Sequence, residues 1–124
     1  MMQTLGAALV QAGEGVCVIR APILPGVRQQ HGAAHAGLAF TLGDSAAGYA
    51  ALSLLPVDQE VMTVEMKVNL LAPAIGDAVE ARGEVVRAGR RLSIVRAEVW
   101  AITGDERKSI ALMQGTMIPV GLPG

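Results

Sequence analysis

The longest apolar stretch of the chain runs from His35 to Leu54, and Asp44 is its only acidic residue. No proline follows His35 before Pro56, so we expect one long helix that begins near Ala36. A helix that is apolar on every side belongs in a protein core, enclosed by other elements. The pattern therefore predicts a central helix with one carboxylate part-way along it.

The segments after this helix have the two-residue alternation of strands. Val61–Leu71 places its apolar side chains on one face and its polar side chains on the other, so Thr63 is expected off the apolar face. Short turns then separate the remaining segments, which makes the last three strands antiparallel neighbours. These three strands are predicted over Ala78–Arg87, Arg91–Ile102 and Lys108–Val120.

The first part of the chain predicts a helix and a strand. Leu5–Ala12 has apolar residues at helical spacing, and Gly13 follows as a terminator. Gly15–Ile23 is rich in β-branched residues, which favours a strand. A proline-containing loop then leads to the long helix. We therefore expect a single α+β domain over residues 1–124, with one long helix against a curved antiparallel sheet.

Composition narrows the possible functions. The chain has 124 residues, 52% of them hydrophobic, a formal net charge of −1 and one each of Trp, Tyr and Phe. This argues against disorder and against nucleic-acid partners, which need a basic surface or stacking aromatic rings. The single Cys17 excludes a disulfide within the chain and favours a buried thiol in a reducing compartment. Without a basic leader or a membrane-spanning run, we expect a cytoplasmic protein without membrane partners.

Asp44 permits two interpretations. It could follow Gly43 as the cap of a second helix that begins at Ser45. If one helix continues instead, Asp44 lies about two turns along it and faces a cleft. There its carboxylate acts as a general base on water or as a nucleophile. We favour this second interpretation, because a carboxylate on an apolar helix is costly to bury without a partner.

The start of the long helix offers backbone donors. The first N–H groups of a helix have no acceptor within it, and the positive end of the helix dipole lies there. At His35-Ala36-Gly37 the small side chains would let a substrate carbonyl approach, so these donors could stabilise an oxyanion. The alternative is that Ala36 and Gly37 only allow close packing.

The sequence gives little indication of a metal site, a serine nucleophile or a phosphate-binding loop. His31 and His35 are the only histidines and lack a third ligand at suitable spacing, so we expect no metal. No Gly-x-Ser-x-Gly nucleophile motif or glycine-rich phosphate loop occurs. Arg87, Arg90 and Arg91 cluster at one predicted hairpin. The simplest interpretation is a solvated turn, and the alternative is a landing site for a phosphorylated carrier such as coenzyme A.

Two segments carry a family resemblance. Residues 29–37 read Gln-Gln-His-Gly-Ala-Ala-His-Ala-Gly, and residues 42–46 read Leu-Gly-Asp-Ser-Ala. Together with the strand 61–73, they resemble the PaaI-type acyl-CoA thioesterases of the hotdog superfamily. The motif of that family is an Asn, a Gly, a His-Gly-Gly and then an Asp on the central helix. This chain departs from it with Gln29 for Asn and Ala36 for Gly.

The resemblance implies a role for each matching residue. Asp44 would be the base or nucleophile, and the backbone amide of Ala36 would polarise the thioester carbonyl. Gln29 would hold the water or the carbonyl, and His35 would orient the loop. Thr63 would help to bind the attacking water.

The resemblance also implies an activity: hydrolysis of an acyl-CoA to a carboxylic acid and free CoA. No cofactor is expected beyond the CoA of the substrate. The active sites would be shared between subunits of a homodimer or homotetramer, with Val61–Leu71 as an interface strand. Two alternatives are a non-catalytic acyl-CoA-binding domain and a hotdog hydratase or dehydratase, which needs a second acid/base group near Asp44.

Overall fold

The computed structural model describes residues 1–30 and 32–121. In order, the chain forms a short helix, two strands, a short 3-10 turn, one long helix and four further strands. The elements in chain order are α1 (Met2–Leu5), β1 (Ala8–Gly13), β2 (Val16–Pro22), α2 (Ala36–Leu52), β3 (Gln59–Leu70), β4 (Ala78–Ala88), β5 (Ser93–Thr103) and β6 (Glu106–Gly121).

The six strands form one sheet in the order β1-β2-β4-β5-β6-β3, and every neighbouring pair is antiparallel. The helix α2 packs on one face of this sheet, mainly against β4, β2, β5 and β3. This confirms the predicted α+β hotdog arrangement. It also makes β1 and β3 the two edge strands, one on each flank of α2.

The side of α2 that faces the sheet is built mostly from alanine. Gly83 on β4 lies opposite this side of the helix, and a side chain there is excluded because its Cβ would collide with the backbone of Ala46. The opposite side of the helix is not covered, and Phe40 and Tyr49 are 38% and 45% exposed. The sheet therefore covers only one side of the helix. The buried positions are Leu38, Ala39, Leu42, Gly43, Ala46, Ala47, Ala50 and Ala51.

The predicted helix over Leu5–Ala12 is also wrong. The helix α1 ends at Leu5, and the following residues form β1, which pairs with β2. Val10 is an extra residue in this pairing, a β-bulge between Leu9 and Gln11. Because a bulge shifts the alternation by one residue, Leu9 and Ala12 both face α2. A three-residue apolar spacing that reads as helical is thus produced by a strand.

A second bulge changes the alternation along β3. Val64 is extra between the positions that pair Thr63 and Glu65 with β6. The prediction that one parity forms the apolar face of this strand is wrong, and so is the placement of Thr63 off the face that packs on the helix. The side chains directed toward α2 are Val61 and Thr63 before the bulge, and Met66 and Val68 after it.

The remaining strands confirm the sequence analysis. The observed ends of β2, β4, β5 and β6 lie within two residues of the predicted ones. Cys17 on β2 is fully buried, and burial raises the pKa of its thiol. Among the described helices, none has the length and apolar character needed to cross a membrane.

Candidate active site

Asp44 lies within a helix that is continuous from Ala36 to Leu52, so it does not cap a second helix. Its carboxylate Oδ1 accepts a hydrogen bond of 2.8 Å from the hydroxyl of Thr63 on β3. In residues 1–30 and 32–121, no partner hydrogen-bonds the other carboxylate oxygen, Oδ2. One oxygen of Asp44 is therefore held in place, while the other is available to a water or a substrate.

An open pocket of about 210 Å³ surrounds the Asp44–Thr63 pair. Its lining includes two side chains that the sequence analysis did not single out, Glu60 and Tyr49. No histidine of the described chain lines this pocket, and Glu60 is the only other acidic side chain in its lining. Tyr49 could have been noticed in the sequence as the one tyrosine of an otherwise small and apolar helix.

His35 fixes the start of α2. Its Nδ1 accepts a hydrogen bond of 2.9 Å from the backbone N–H of Gly37, which makes it the N-cap of the helix. Its own backbone N–H donates to the carbonyl of Val27 at 2.7 Å. These two hydrogen bonds tie His35 to neighbouring backbone, and its role in orienting the loop for catalysis stays a prediction.

The Ala36 N–H is the helix-start donor that stays available. No acceptor for it is found in the described part of the chain, whereas the Gly37 N–H is occupied by His35. Ala36 also shares a cavity of about 520 Å³ with His35 and Gln29, while Gly37 lines a different, smaller pocket. The structure thus brings Gln29, His35 and Ala36 together, and a substrate contact through Gly37 stays a prediction.

The two groups of candidate residues are separate within one chain. Asp44 lies eight residues after Ala36 on the helix, which corresponds to about 12 Å along the axis. Neither cavity contains both residues. The strand β3 runs past both cavities, because Thr63 near one end lines the Asp44 pocket and Leu70 at the other end lines the Ala36 cavity.

The arginine cluster lies outside both cavities. Arg90 and Arg91 are exposed in the turn between β4 and β5, and Arg87 is exposed near the end of β4. The strand pairing places Ala88 level with Thr63 but three strands away, which corresponds to about 14 Å. Contact between these arginines and CoA phosphates therefore stays a prediction.

His31 lies outside the described residues. In the rest of the chain, the structure contains no group of three or more His, Cys, Asp or Glu side chains arranged to hold a metal ion.

Several of the known proteins that this chain resembles are described as thioesterases or esterases. A family model described as the Thioesterase superfamily matches residues 31–108. A Halobacterium salinarum protein provisionally named an esterase is 34% identical in an alignment of 108 positions that covers 83% of this chain and 70% of that protein.

Solved structures are similar over almost the whole chain. A thioesterase family protein from Silicibacter pomeroyi is 40% identical with a TM-score of 0.94, covering 98% of this chain and 89% of its own. A variant of the phenylacetic acid degradation protein PaaI from Thermus thermophilus is 28% identical with a TM-score of 0.81, covering 94% and 96%.

Proposed function

Because the chain belongs to the Thioesterase superfamily, we propose that it hydrolyses an acyl-CoA thioester to a carboxylic acid and free CoA. The observation that carries this proposal is the 2.8 Å hydrogen bond between Thr63 and Asp44. It holds one carboxylate oxygen at the wall of an open pocket and leaves the other without a hydrogen-bond partner among the described residues. That is the arrangement a general base on water requires.

In this mechanism Asp44 takes a proton from a bound water, and the resulting hydroxide adds to the thioester carbonyl carbon. The backbone N–H of Ala36 stabilises the oxyanion, helped by the positive end of the α2 dipole. The tetrahedral intermediate then collapses, the C–S bond breaks, and the proton on Asp44 passes to the CoA thiolate. The alternative keeps the same groups, but Asp44 attacks the carbonyl itself and water hydrolyses the resulting anhydride.

The roughly 12 Å between Asp44 and Ala36 requires that the two groups come from different subunits. The edge strand β3 supports this arrangement, because one of its ends lines the Asp44 pocket and its other end lines the Ala36 cavity. If β3 pairs antiparallel with β3 of a second copy, each end meets the opposite end of the partner strand. A dimer would thus join each Asp44 pocket to the Ala36 cavity of the other subunit, giving two complete sites.

The edge of β3 is suited to such pairing. It is 12 residues long and exposes Met62, Val64 and Leu70, each by more than half. A long edge with exposed apolar side chains and unpaired backbone groups is a template for another strand. A homodimer, or a homotetramer built from it, is therefore part of the proposal.

In the same mechanism Gln29 would hold the water or the carbonyl. A cytoplasmic location of the protein stays a prediction.

Two inactive variants test the mechanism and the shared site together. Asp44→Asn removes the base, and Ala36→Pro removes only the amide donor. Proline is well tolerated at the first helical position, and the extended backbone of His35 (ψ 142°) suits a residue before proline. Each change should lower kcat by about 100-fold or more. Ala36→Gly, which keeps the N–H, is the matched control and should retain most of the activity.

Heterodimers of the two variants, purified through a different tag on each chain, should recover about half of the parent activity. One of their two sites receives an intact Asp44 from one chain and an intact Ala36 from the other. If each site were built from a single chain, both sites of the heterodimer would be damaged and no activity would return. Free CoA is measured with a thiol reagent over a panel of acyl-CoAs.

The same assay distinguishes thioester hydrolysis from the two alternative functions. A non-catalytic acyl-CoA-binding domain would bind these compounds in calorimetry and release no free CoA. A hydratase would change an enoyl-CoA without releasing CoA.

A further inference from the structure

An apolar groove lies between β1 and the C-terminal half of α2, on the side of the helix away from β3. It is a cavity of about 450 Å³, and none of its nine lining residues is charged. Its sheet side includes Leu9, Ala12 and Ile19, and its helix side includes Tyr49 and Leu52. The bulge at Val10 is the reason that Leu9 and Ala12 both face this space.

The groove adjoins the Asp44 pocket, because the two spaces share a pair of lining residues on α2. Tyr49 and Leu52 line both spaces, and the residues between them and Asp44 on the outer side of α2 are the small Ser45 and Gly48. From Asp44 to Leu52 the helix rises about 12 Å. A flexible chain whose reacting end is at Asp44 can therefore cross the helix without meeting a large side chain until Tyr49 and Leu52.

We propose that this groove binds the acyl group of the substrate, so that the substrates are thioesters of apolar, medium-length acyl groups. This inference rests on the proposed thioester hydrolysis. The size of the groove is within the range of small-molecule sites, which are mostly apolar. Transfer of an alkyl chain from water to this surface is favourable. An acyl group that ends in a carboxylate would find no cation there and would lose its hydration.

Selectivity between chain lengths provides the test. We expect kcat/KM for octanoyl-CoA to be at least tenfold higher than for acetyl-CoA and for succinyl-CoA. Ala12→Trp fills the groove from its sheet side and should lower the ratio of octanoyl-CoA to acetyl-CoA at least tenfold. Ala12→Leu, a smaller addition, should lower it less, and it carries the test if the tryptophan variant does not fold.

The matched control is Gln11→Trp. Gln11 is the neighbouring residue on the same edge strand and pairs with Val18, on the opposite face of the sheet from the groove. This variant should leave the octanoyl-to-acetyl ratio unchanged within about twofold. If both tryptophan variants change the ratio equally, or if neither does, the acyl group does not lie in the groove.

Binding separates this inference from the hydrolysis itself. S-octyl-CoA, a thioether that cannot be hydrolysed, should bind the parent at least tenfold more tightly than CoA in calorimetry, and Ala12→Trp should abolish that difference. If this holds but no thioester is hydrolysed, the groove is an acyl site and the proposed reaction is wrong. If thioesters are hydrolysed but S-octyl-CoA binds no better than CoA, the groove assignment is wrong.

Discussion

The two edge strands of the sheet, β1 and β3, share one structural feature but differ in the side chains around it. Each contains a β-bulge with an extra, exposed valine, Val10 in β1 and Val64 in β3, and these side chains are 58% and 57% exposed. In β3 the bulge leaves Thr63 facing α2, where its hydroxyl binds Asp44. In β1 it turns Leu9 and Ala12 toward the apolar groove.

The difference lies in what each edge presents around its bulge. Around Val64 the strand carries Thr63, Glu65 and Lys67, and β3 ends beside the Ala36 cavity. Around Val10 the strand is only six residues long, and its lining of the groove is wholly uncharged. A bulge redirects side chains without specifying their chemistry. We therefore propose that pairing and catalysis take place at β3, and that apolar groups bind at β1.

The largest expected effect comes from placing a charge at each bulge. Val64→Glu would bring like charges together in a β3–β3 interface, which costs several kcal/mol. We expect the dimer dissociation constant to rise by about 100-fold or more, and activity to fall as the protein is diluted. Val10→Glu is the matched change on β1 and should leave both properties unchanged. Light scattering and activity across a dilution series measure this, and a dimeric, active Val64→Glu protein would remove β3 as the interface.

A smaller effect is expected from the hydroxyl that holds Asp44. Thr63→Val keeps the shape of the side chain but removes the hydrogen bond to a carboxylate, which is worth about 1.5–3 kcal/mol. We expect kcat to fall about tenfold or somewhat more, with KM for octanoyl-CoA nearly unchanged. Thr63→Ser restores the donor and should restore kcat. Equal kcat values for the valine variant and the parent would show that Thr63 does not position the base.

The smallest effect concerns Cys17, which pairs with Ala12 beneath the groove. Since burial raises the pKa of this thiol above its ordinary value of 9.0, the unfolded chain ionises first as pH rises. The folded state therefore keeps its full stability below about pH 9 and loses some of it above that pH. Denaturant titrations from pH 7 to 10 should show this loss, and Cys17→Ala should reduce it.

The same burial predicts that Cys17 does not react with a thiol reagent in the folded protein and reacts fully after denaturation. Rapid reaction in the folded state would mean that the β1 side of the core opens to solvent. It would also require a correction for protein thiol in every measurement of free CoA.

The long helix and the last three strands could be predicted from the sequence because their signals are local. A proline-free apolar run of this length has few alternatives to one helix, and alternation with short turns fixes β4, β5 and β6 closely. The same local pattern points to Asp44 and to the helix start at His35-Ala36-Gly37, whereas the role of Gln29 is implied only by the family resemblance. The positions of Ala36 and Asp44 on α2 follow from counting residues along a helix.

The edge strands could not be predicted in the same way. The spacing of Leu5–Ala12 predicts a helix because a bulge at Val10 gives the strand the three-residue spacing of a helix. Alternation continued through Val64 predicts Thr63 off the apolar face, because the sequence does not mark Val64 as the extra residue. A bulge is defined by the partner strand that leaves one residue unpaired, and that partner lies far away in the sequence.

By itself, the sequence determined that one apolar helix carries Asp44 and begins at a histidine with small residues after it, because helix formation and capping depend on neighbours within a few positions. Only the tertiary structure decided that Thr63 binds Asp44, that Asp44 and Ala36 lie in separate cavities, and that β1 borders a groove. The physical reason is that side chains alternate along a strand with a period of two. One unpaired residue therefore moves every later side chain to the other face, and only the pairing between distant strands specifies where that residue is.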